Sequence, residues 1–523
     1  MEKNITVIPG DGIGPEITDE AMKVLDAVAK VQGHKFNYNF ADMGGVAYDK
    51  AIANMSEKEK SSIDEWDDEE KRKLTLPREA IDAMDYARDT RGAVLFGSVG
   101  RSDLPKRSAE LALLGMRKRY DVVNQRPFII DPLLAHNSML FRSPQKVEGF
   151  EIISPRGSLY NGQTRQEDNS HSTRKQFSIS DLEKTITDAF EKSIETGKSV
   201  LCASKYNVLV SEKMLSDVFE RKAKEYDGKV ELNYWSNKGQ LIIDNAGMQI
   251  AANPQRYTNT IVIADAMFGS FLQSIIDVVN GSKPVNQDAL EDIRENGISR
   301  TFIRELCDGL YFGERHSGKD FSYDTLHYDK KTIEDLAFVA NKVNSQLGLE
   351  TIDSMEIEGV PTFDYWAKVL DDTSKVNGYD VKHMNIREGV ETLLTDPASL
   401  GTVITSNMMG DIYTDLAAAV VGKSLGIMPS SAVNADGFGI YEQIAGSAPD
   451  IAGKNMANPV AEIRSAAMML EDFGDQKGAQ LVYSAIDKAL RTARTGDIME
   501  EGYKQVTTKQ MGDMIAGYVR EMA

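Results

Sequence analysis

A long internal repeat constrains this chain more than any other feature. One copy spans about residues 150–282 and the other about 301–422. The first carries SLYNGQTR (158–165), CASKYNVL (202–209), IDNAGMQIAANP (243–254) and DAMFGSFLQS (265–274). The second carries IRELCDGLYFGER (303–315), TIDSMEIEGV (351–360), NIREGVETLLTDP (385–397) and SNMMGDIYTD (406–415). Tyr160 aligns with Tyr311, Pro254 with Pro397 and Gly269 with Gly410, so the register drifts only slightly. Solenoid units are far shorter than this. The repeat therefore means two copies of one domain.

The copies have lost different groups. Seven residues before Tyr311 stands Arg304; seven before Tyr160 stands Ile153. The first copy has Lys205 and Asn207, with Ser354 near that place in the second. Asp244 faces Arg387 in the alignment, and Asp411 and Asp415 face Ser270 and Ser274. Each polar group missing from one copy is present in the other, whereas random decay would lose some from both. The pattern predicts one composite active site, half from each copy.

Length and charge narrow the classes. A chain of 523 residues predicts two or three domains. A net charge of −20 argues against a nucleic-acid partner, since phosphate binding needs clustered Lys and Arg. A few converging arginines still suffice for a small anionic substrate. Two cysteines, Cys202 and Cys307, are too few for a disulfide framework or a Cys-rich zinc site. Met1 is followed directly by Glu2 and Lys3, without an apolar leader segment. No run of about 18 apolar residues spans a membrane, so the cytoplasm is the expected location.

In chain order, NITVIP (4–9) reads as a buried strand and GDGIGPE (10–16) as a Gly-rich loop, with Pro15 placed to start a helix. Residues 17–31 carry a helical apolar stripe. The loop lacks the G-x-G-x-x-G spacing of an ordinary dinucleotide fold. The mixed-charge run 56–73 reads as a solvated helix or insertion. RGAVLFGSVG (91–100) is a second buried strand, 108–127 a helix then a strand, and 460–496 helical.

Asp411 and Asp415 lie one helical turn apart, so both carboxylates face one way. Adjacent like charges are costly unless a cation sits between them, and oxygen ligands suit Mg²⁺ or Mn²⁺. Asp244, in an apolar context, supplies a third carboxylate. Arg117, Arg126 and Arg304 suit bidentate binding of substrate carboxylates. Taken singly, each group has a bland alternative: exposed helix acids, or surface salt bridges.

Several motifs together resemble the isocitrate/isopropylmalate dehydrogenase family of metal-dependent β-decarboxylating dehydrogenases. They are VIPGDGIGPE (7–16), LFGSVG (95–100), LLGMRKRYDVVNQRP (113–127), SKYNVL (204–209), IRELCDGLYFGE (303–314), MMGDIYTD (408–415), GSAPDIAGKNMANP (446–459) and RTGDIMEEG (494–502). They reach over nearly the whole chain. Within the family the likeness is closest to the 3-isopropylmalate enzymes: Glu110, Leu113 and Leu114, with Val208, match the pocket that holds a branched alkyl group. Leucines favour that group over a further carboxylate.

The resemblance implies an α/β fold with one large cofactor domain, residues 1–121 and 423–523, and two tandem small domains, 122–283 and 284–422. The first small domain would play the partner subunit in cis, giving one composite site per chain and a monomer, with a homodimer as the alternative. It also implies NAD-dependent oxidative decarboxylation of 3-isopropylmalate, as in leucine biosynthesis. The metal, Mg²⁺ or Mn²⁺, would be held by Asp244, Asp411 and Asp415. Lys205 would be or relay to the general base, and Tyr311 the proton donor. Arg117, Arg126 and Arg304 would hold the carboxylates, and Asn207 would assist near the nicotinamide. Asp450 would accept from the ribose hydroxyls and favour NAD. Glu442, Gly446, Ser447 and Ala448 would line the ribose–pyrophosphate stretch, and Asn458 would meet adenine. The alternatives are another 2-hydroxy acid (isocitrate, homoisocitrate, tartrate or malate) or a catalytically silent regulatory homologue.

Overall fold

The computed structural model describes residues 1–53, 55–101, 103–104, 108–141, 145–421, 424–434 and 436–523; the side chains of Asp64, Glu110 and Asn137 lie outside that description. The chain divides into two compact units, Met1–Pro127 with Ser424–Ala523, and Phe128–Lys423. Residues 122–127, assigned above to the first small domain, thus fall in the first unit. Among the described residues no helix is long and apolar enough to cross a membrane.

In the first unit the strand Glu2–Gly10 lies between Lys35–Phe40 and Ala93–Ser98, both parallel to it. Its Ile5, Val7 and Ile8 are fully buried, as a β-branched run in a two-sided parallel sheet must be. Gly439–Gln443 continues the sheet parallel to Ala93–Ser98, and Pro429–Val433 then turns antiparallel. Val123–Gln125 pairs with that last strand. After the first strand the chain turns through Gly10 and Gly12, at φ 67° and 60°, into the helix Gly14–Gln32. Left-handed backbone at both points favours glycine. The Asp11 carboxylate ties this loop to its neighbours by accepting from the N–H groups of Gly45 (2.8 Å) and Gly100 (2.9 Å). The mixed-charge run folds as two short surface helices, Glu57–Ser62 and Asp68–Thr75, each closed by a capping box. The helical stretch 460–496 is two helices, Val460–Asp472 and Gln476–Leu490.

The second unit shows the duplication directly. The first copy forms a sheet in the order Glu151–Ile153, Thr260–Ile263, Ser199–Ser204, Gln240–Ile242. The second copy repeats it as Ile298–Arg304, Thr402–Thr405, Thr351–Met355, Asp380–Met384. Both are parallel throughout. A third sheet joins the copies. Its two inner strands, Ser170–Ser178 and Phe321–Asp329, pair antiparallel over their full length and are equivalent positions of the repeat. Thr164–Glu167 and Arg315–Ser317 flank them symmetrically. This is the strand exchange expected when two domains related by a two-fold axis share one sheet.

Each exchanged strand also contacts the start of a helix in the other copy. Asp324, on the second copy's inner strand, accepts from the N–H of Val210 (3.2 Å) and of Ser211 (2.8 Å), where the helix Val210–Glu225 of the first copy begins. In return the Thr173 hydroxyl of the first copy meets Thr362 Oγ1 at 2.7 Å, at the start of Pro361–Asn377. Pro361 has no N–H to donate, and the contact there runs hydroxyl to hydroxyl where Asp324 holds backbone N–H groups of the other helix.

The sheet register corrects two alignments read from sequence. Ile153 pairs with Ile263 in the first copy as Ile303 pairs with Ile404 in the second. The counterpart of Arg304 is therefore Ser154 rather than Ile153. Gly269 and Gly410 agree: a Cβ added to the first would press on Ile152 and Ser154, and one added to the second on Arg304. Likewise Cys202 and Ser354 hold equivalent places. The counterpart of Lys205 is then Ile357, not Ser354, and each residue's carbonyl accepts from the N–H three residues on. The connecting loops differ by one residue, and ungapped reading misplaces whatever follows the difference.

Candidate active site

Both copies contribute to one buried polar cluster in the second unit. Lys205 follows the first-copy strand Ser199–Ser204, and Asp244 lies in the first turn of the helix Ile243–Ala252. Arg304 ends the second-copy strand Ile298–Arg304, and Tyr311 closes the short turn Gly309–Tyr311. Asp411 and Asp415 stand on the helix Asn407–Val421, which packs against Ile243–Ala252. The Lys205 ammonium is ion-paired with Asp244 and lies 3.2 Å from Asp411 Oδ2. Tyr311 donates its hydroxyl to the same oxygen at 3.1 Å. Arg304 pairs with Asp411 Oδ1 and donates from Nη2 to Asn407 Oδ1 at 2.7 Å. Five of these side chains, Lys205, Asp244, Arg304, Tyr311 and Asp411, belong to the set expected to converge, and they come from both copies.

Burial sets the electrostatics. Lys205, Arg304 and Tyr311 are 1%, 1% and 3% exposed. Burial by itself would discharge Lys205, but Asp244 and Asp411 outweigh it and hold the ammonium well above its ordinary range. Burial raises the Asp244 carboxyl against the opposing pull of Lys205. It lifts the Tyr311 phenol well above the ordinary phenol value, keeping the proton on oxygen.

The backbone explains how close these groups stand. Gly410 faces Arg304 across the helix, and a Cβ there would come within 2.6 Å of Arg304 Cγ. Only a residue without a side chain lets the guanidinium cross to Asp411. Arg315, which sequence reading did not single out, donates to the Val208 carbonyl at 3.4 Å and also to the Tyr311 carbonyl. It thereby ties the loop after Lys205 to the turn of Tyr311. Glu212 was also missed. It accepts from the Lys205 N–H at 3.3 Å and is paired with Lys175, which lies 3.3 Å from Asp265. All three are buried. A Lys in an alternating strand and an acid in a helix give no sequence signal that they will meet. Asn207 and Val208 follow Lys205 in the same loop, Val208 buried and Asn207 Oδ1 without a hydrogen-bond partner.

The fit to a divalent cation rests on Asp244 and Asp411. Both already converge on one positive charge, and Asp244 Oδ1 is buried with no hydrogen-bond partner. A small cation with oxygen ligands satisfies that arrangement. Asp415 stands one turn beyond Asp411, half-buried. A different trio, Asp308, His327 and Asp329, brings three ligand atoms within 4.8 Å of one another. Its His327 and Asp329 are solvent-accessible, and its Asp308 immediately precedes the turn Gly309–Tyr311.

The other expected residues lie in the first unit. Arg117 is buried and donates to Glu442 Oε1 at 2.8 Å, so a residue expected to hold substrate and one expected to line the cofactor form an ion pair with each other. Arg126 is buried on its strand, Leu113 and Leu114 are half-buried on the helix Ser108–Tyr120, and the Glu110 side chain lies outside the described ones. The two most specific motifs meet: the Ile13 N–H donates to the Ser447 carbonyl at 2.9 Å. Gly446 and Ala448 take positive φ, 68° and 38°. A Cβ on Gly446 would face open space, and Asp450 is exposed beside it. An exposed acid on a loop whose backbone is open to approach fits the ribose hydroxyls of a dinucleotide. Asn458 is already committed, donating to Asp497 Oδ2 (3.0 Å) and accepting from the Val460 N–H (3.0 Å).

Fold and cluster together define a duplicated α/β protein with one acid–lysine–tyrosine–arginine site made by both copies. Comparison with known proteins then gives the family. The isocitrate/isopropylmalate dehydrogenase family matches over residues 4–69, 67–283 and 278–515, and the chain belongs to it. A 3-isopropylmalate dehydrogenase of Clostridium acetobutylicum is 35% identical over 248 residues, 46% of this chain and 68% of that protein. One of Cupriavidus pinatubonensis is 27% identical over 522 residues, 98% of each. Among solved structures, the isocitrate dehydrogenase of Methylococcus capsulatus covers 99% of both chains at TM-score 0.56 and 17% identity, a likeness of fold alone.

Proposed function

We propose that the protein is a decarboxylating dehydrogenase that oxidises 3-isopropylmalate with NAD at one composite site per chain. The observation that carries this is the meeting of Lys205 and Asp244 from one copy with Arg304, Tyr311 and Asp411 from the other. The relatives named 3-isopropylmalate dehydrogenase support the substrate. So does the pattern of Leu113 and Leu114 before Arg117.

In this reading Asp244, Asp411 and Asp415 hold Mg²⁺ or Mn²⁺, and Asp450 with the Gly446–Ala448 stretch holds NAD. When bound, NAD accepts hydride, and the divalent cation supplies a positive charge that acidifies the substrate hydroxyl and offsets the carboxylates around Lys205. Lys205 takes or relays the hydroxyl proton at Nζ. Tyr311, protonated and 3.1 Å from Asp411 Oδ2, delivers a proton to the carbon left by CO₂. Arg304, fixed by Asn407 and Asp411, binds a carboxylate bidentately, and Arg117 and Arg126 are the further carboxylate binders. The protein acts in the cytoplasm as a monomer, because the copy that would come from a partner subunit is already present.

The test is NAD reduction by the purified chain with Mn²⁺ and 3-isopropylmalate, beside isocitrate, tartrate and malate. Turnover on 3-isopropylmalate, lost in Lys205→Ala, supports the reading. Preference for another of these acids overturns the substrate, and no reduction with any of them overturns the activity.

A further inference from the structure

The second unit has a cavity of about 640 Å³ outside the cluster already described. Its lining includes Ser154, Tyr160, Ser270, Ser274, Glu358 and Arg387. Five of these are repeat counterparts of Arg304, Tyr311, Asp411, Asp415 and Asp244. The cavity is therefore the internal-symmetry image of the composite site, still open and of a size that suits a small ligand.

Its chemistry has changed in a definite direction. Both positions of the aspartate pair are serines, and their hydroxyls are turned to the helix backbone, Ser270 to the Ala266 carbonyl at 3.0 Å and Ser274 to the Ser270 carbonyl at 2.8 Å. A divalent cation has no carboxylate set here. The place of Arg304 holds Ser154 and the place of Lys205 holds Ile357. One guanidinium remains, Arg387, and it is shared with Asp277 at 3.1 Å and Glu391 at 3.6 Å. A dicarboxylate would meet one partly neutralised cation where the composite site offers several. What the image site does offer is one cation and one acid, Arg387 and Glu358, with the hydroxyls of Tyr160 and Ser154 and an aliphatic wall of Ile152 and Ile386. Glu358 accepts from Asn385 Nδ2 at 3.3 Å, which sets it beside the helix turn that carries Arg387.

We propose that this cavity binds a small aliphatic α-amino acid as its zwitterion, the carboxylate on Arg387 and the ammonium on Glu358. A ligand carrying both charges meets one cation and one acid here, and its side chain covers Ile152 and Ile386. The counterparts of Asp411, Asp415 and Lys205 are Ser270, Ser274 and Ile357 here, so the site binds without turnover.

Calorimetric titration of the full chain with L-valine tests this, with malate and glycerol as parallel probes. The expected result is one L-valine site per chain with Kd on the order of 1 mM or tighter. Arg387→Gln and Glu358→Gln should each weaken it by about tenfold or more, and Lys205→Ala should leave it unchanged. Both rim side chains are solvent-accessible, and circular dichroism checks that each variant is folded. No L-valine binding at 50-fold that concentration, tighter binding of malate or glycerol, or loss of binding in Lys205→Ala would each overturn the proposal.

Discussion

The two copies share one sheet order yet solve the same packing problem in opposite ways. Behind Lys205 the first copy buries a charged trio, Lys175, Glu212 and Asp265, all at most 1% exposed. The equivalent places in the second copy hold Leu326, Phe363 and Ser406, equally buried and without an ion. The same backbone thus accepts either an ion network or apolar packing. Burying ions is seldom the more stable choice. The network is found in the copy whose next loop carries Lys205, and Glu212 holds that loop through the Lys205 N–H. The comparison teaches that the copies diverged in what they position while keeping the same frame.

The largest effect that would break this contrast is catalytic. Lys205→Ala or Tyr311→Phe should lower turnover by about 10²-fold to 10⁴-fold, while Tyr160→Phe, the same tyrosine in the other copy, should leave kcat within about twofold. Steady-state kinetics on folded protein decides, and equal losses at Tyr160 and Tyr311 would mean two working sites.

Next comes stability. Lys175→Met strands two buried carboxylates and should cost about 3–5 kcal/mol, against under about 1.5 kcal/mol for Leu326→Met at the equivalent place. Changing Lys175, Glu212 and Asp265 together to the second copy's Leu, Phe and Ser should recover most of the stability, read by urea denaturation. It should also raise KM or lower kcat by loosening Lys205.

The contacts from the exchanged strands to the helix starts sharpen the contrast further. Asp324→Ala removes an acceptor from two N–H groups and a hydroxyl of the first copy and should cost about 1–3 kcal/mol. Thr173→Val, on the other side, loses one hydroxyl contact and should cost about 1 kcal/mol or less. Equal losses would show that the two helices do not depend differently on the exchanged strand.

The smallest expected effect is a pH dependence confined to the second copy. His383 is raised to about 9, chiefly by its hydrogen bond to Glu356, with Asp371 adding and burial opposing. A base whose folded pKa lies above its ordinary value of 6.5 adds stability in full below that value. The contribution is lost as pH rises through about 9. Gln240 holds the equivalent place in the first copy and does not titrate there. Melting temperature should therefore fall from pH 6.5 to 9.5, and His383→Gln should flatten that part of the curve.

Much of this was legible in the residues. The strands at 4–9 and 91–100, the charged surface run and the complementary loss of polar groups all follow from local pattern, because periodicity and composition act over a few residues. Glu212 and Arg315 were not legible. Each acts on a loop from a separate element, and nothing local marks a charge that will be buried against another. Arg117 shows the same limit from the other side, since its motif suggested a ligand and it is ion-paired with Glu442.

The amino-acid order alone determined that there are two unequal copies and which chemical groups each retained. It could not determine every equivalence between them. Ser154 rather than Ile153 answers Arg304, and Ile357 rather than Ser354 answers Lys205, because a one-residue loop difference shifts every position after it while hydrogen bonding between strands fixes the register in space. The antiparallel pairing of Ser170–Ser178 with Phe321–Asp329 likewise belongs to the tertiary structure. Strand pairing depends on which edges meet, and that meeting brings Lys205 to Asp411 across 206 residues of chain.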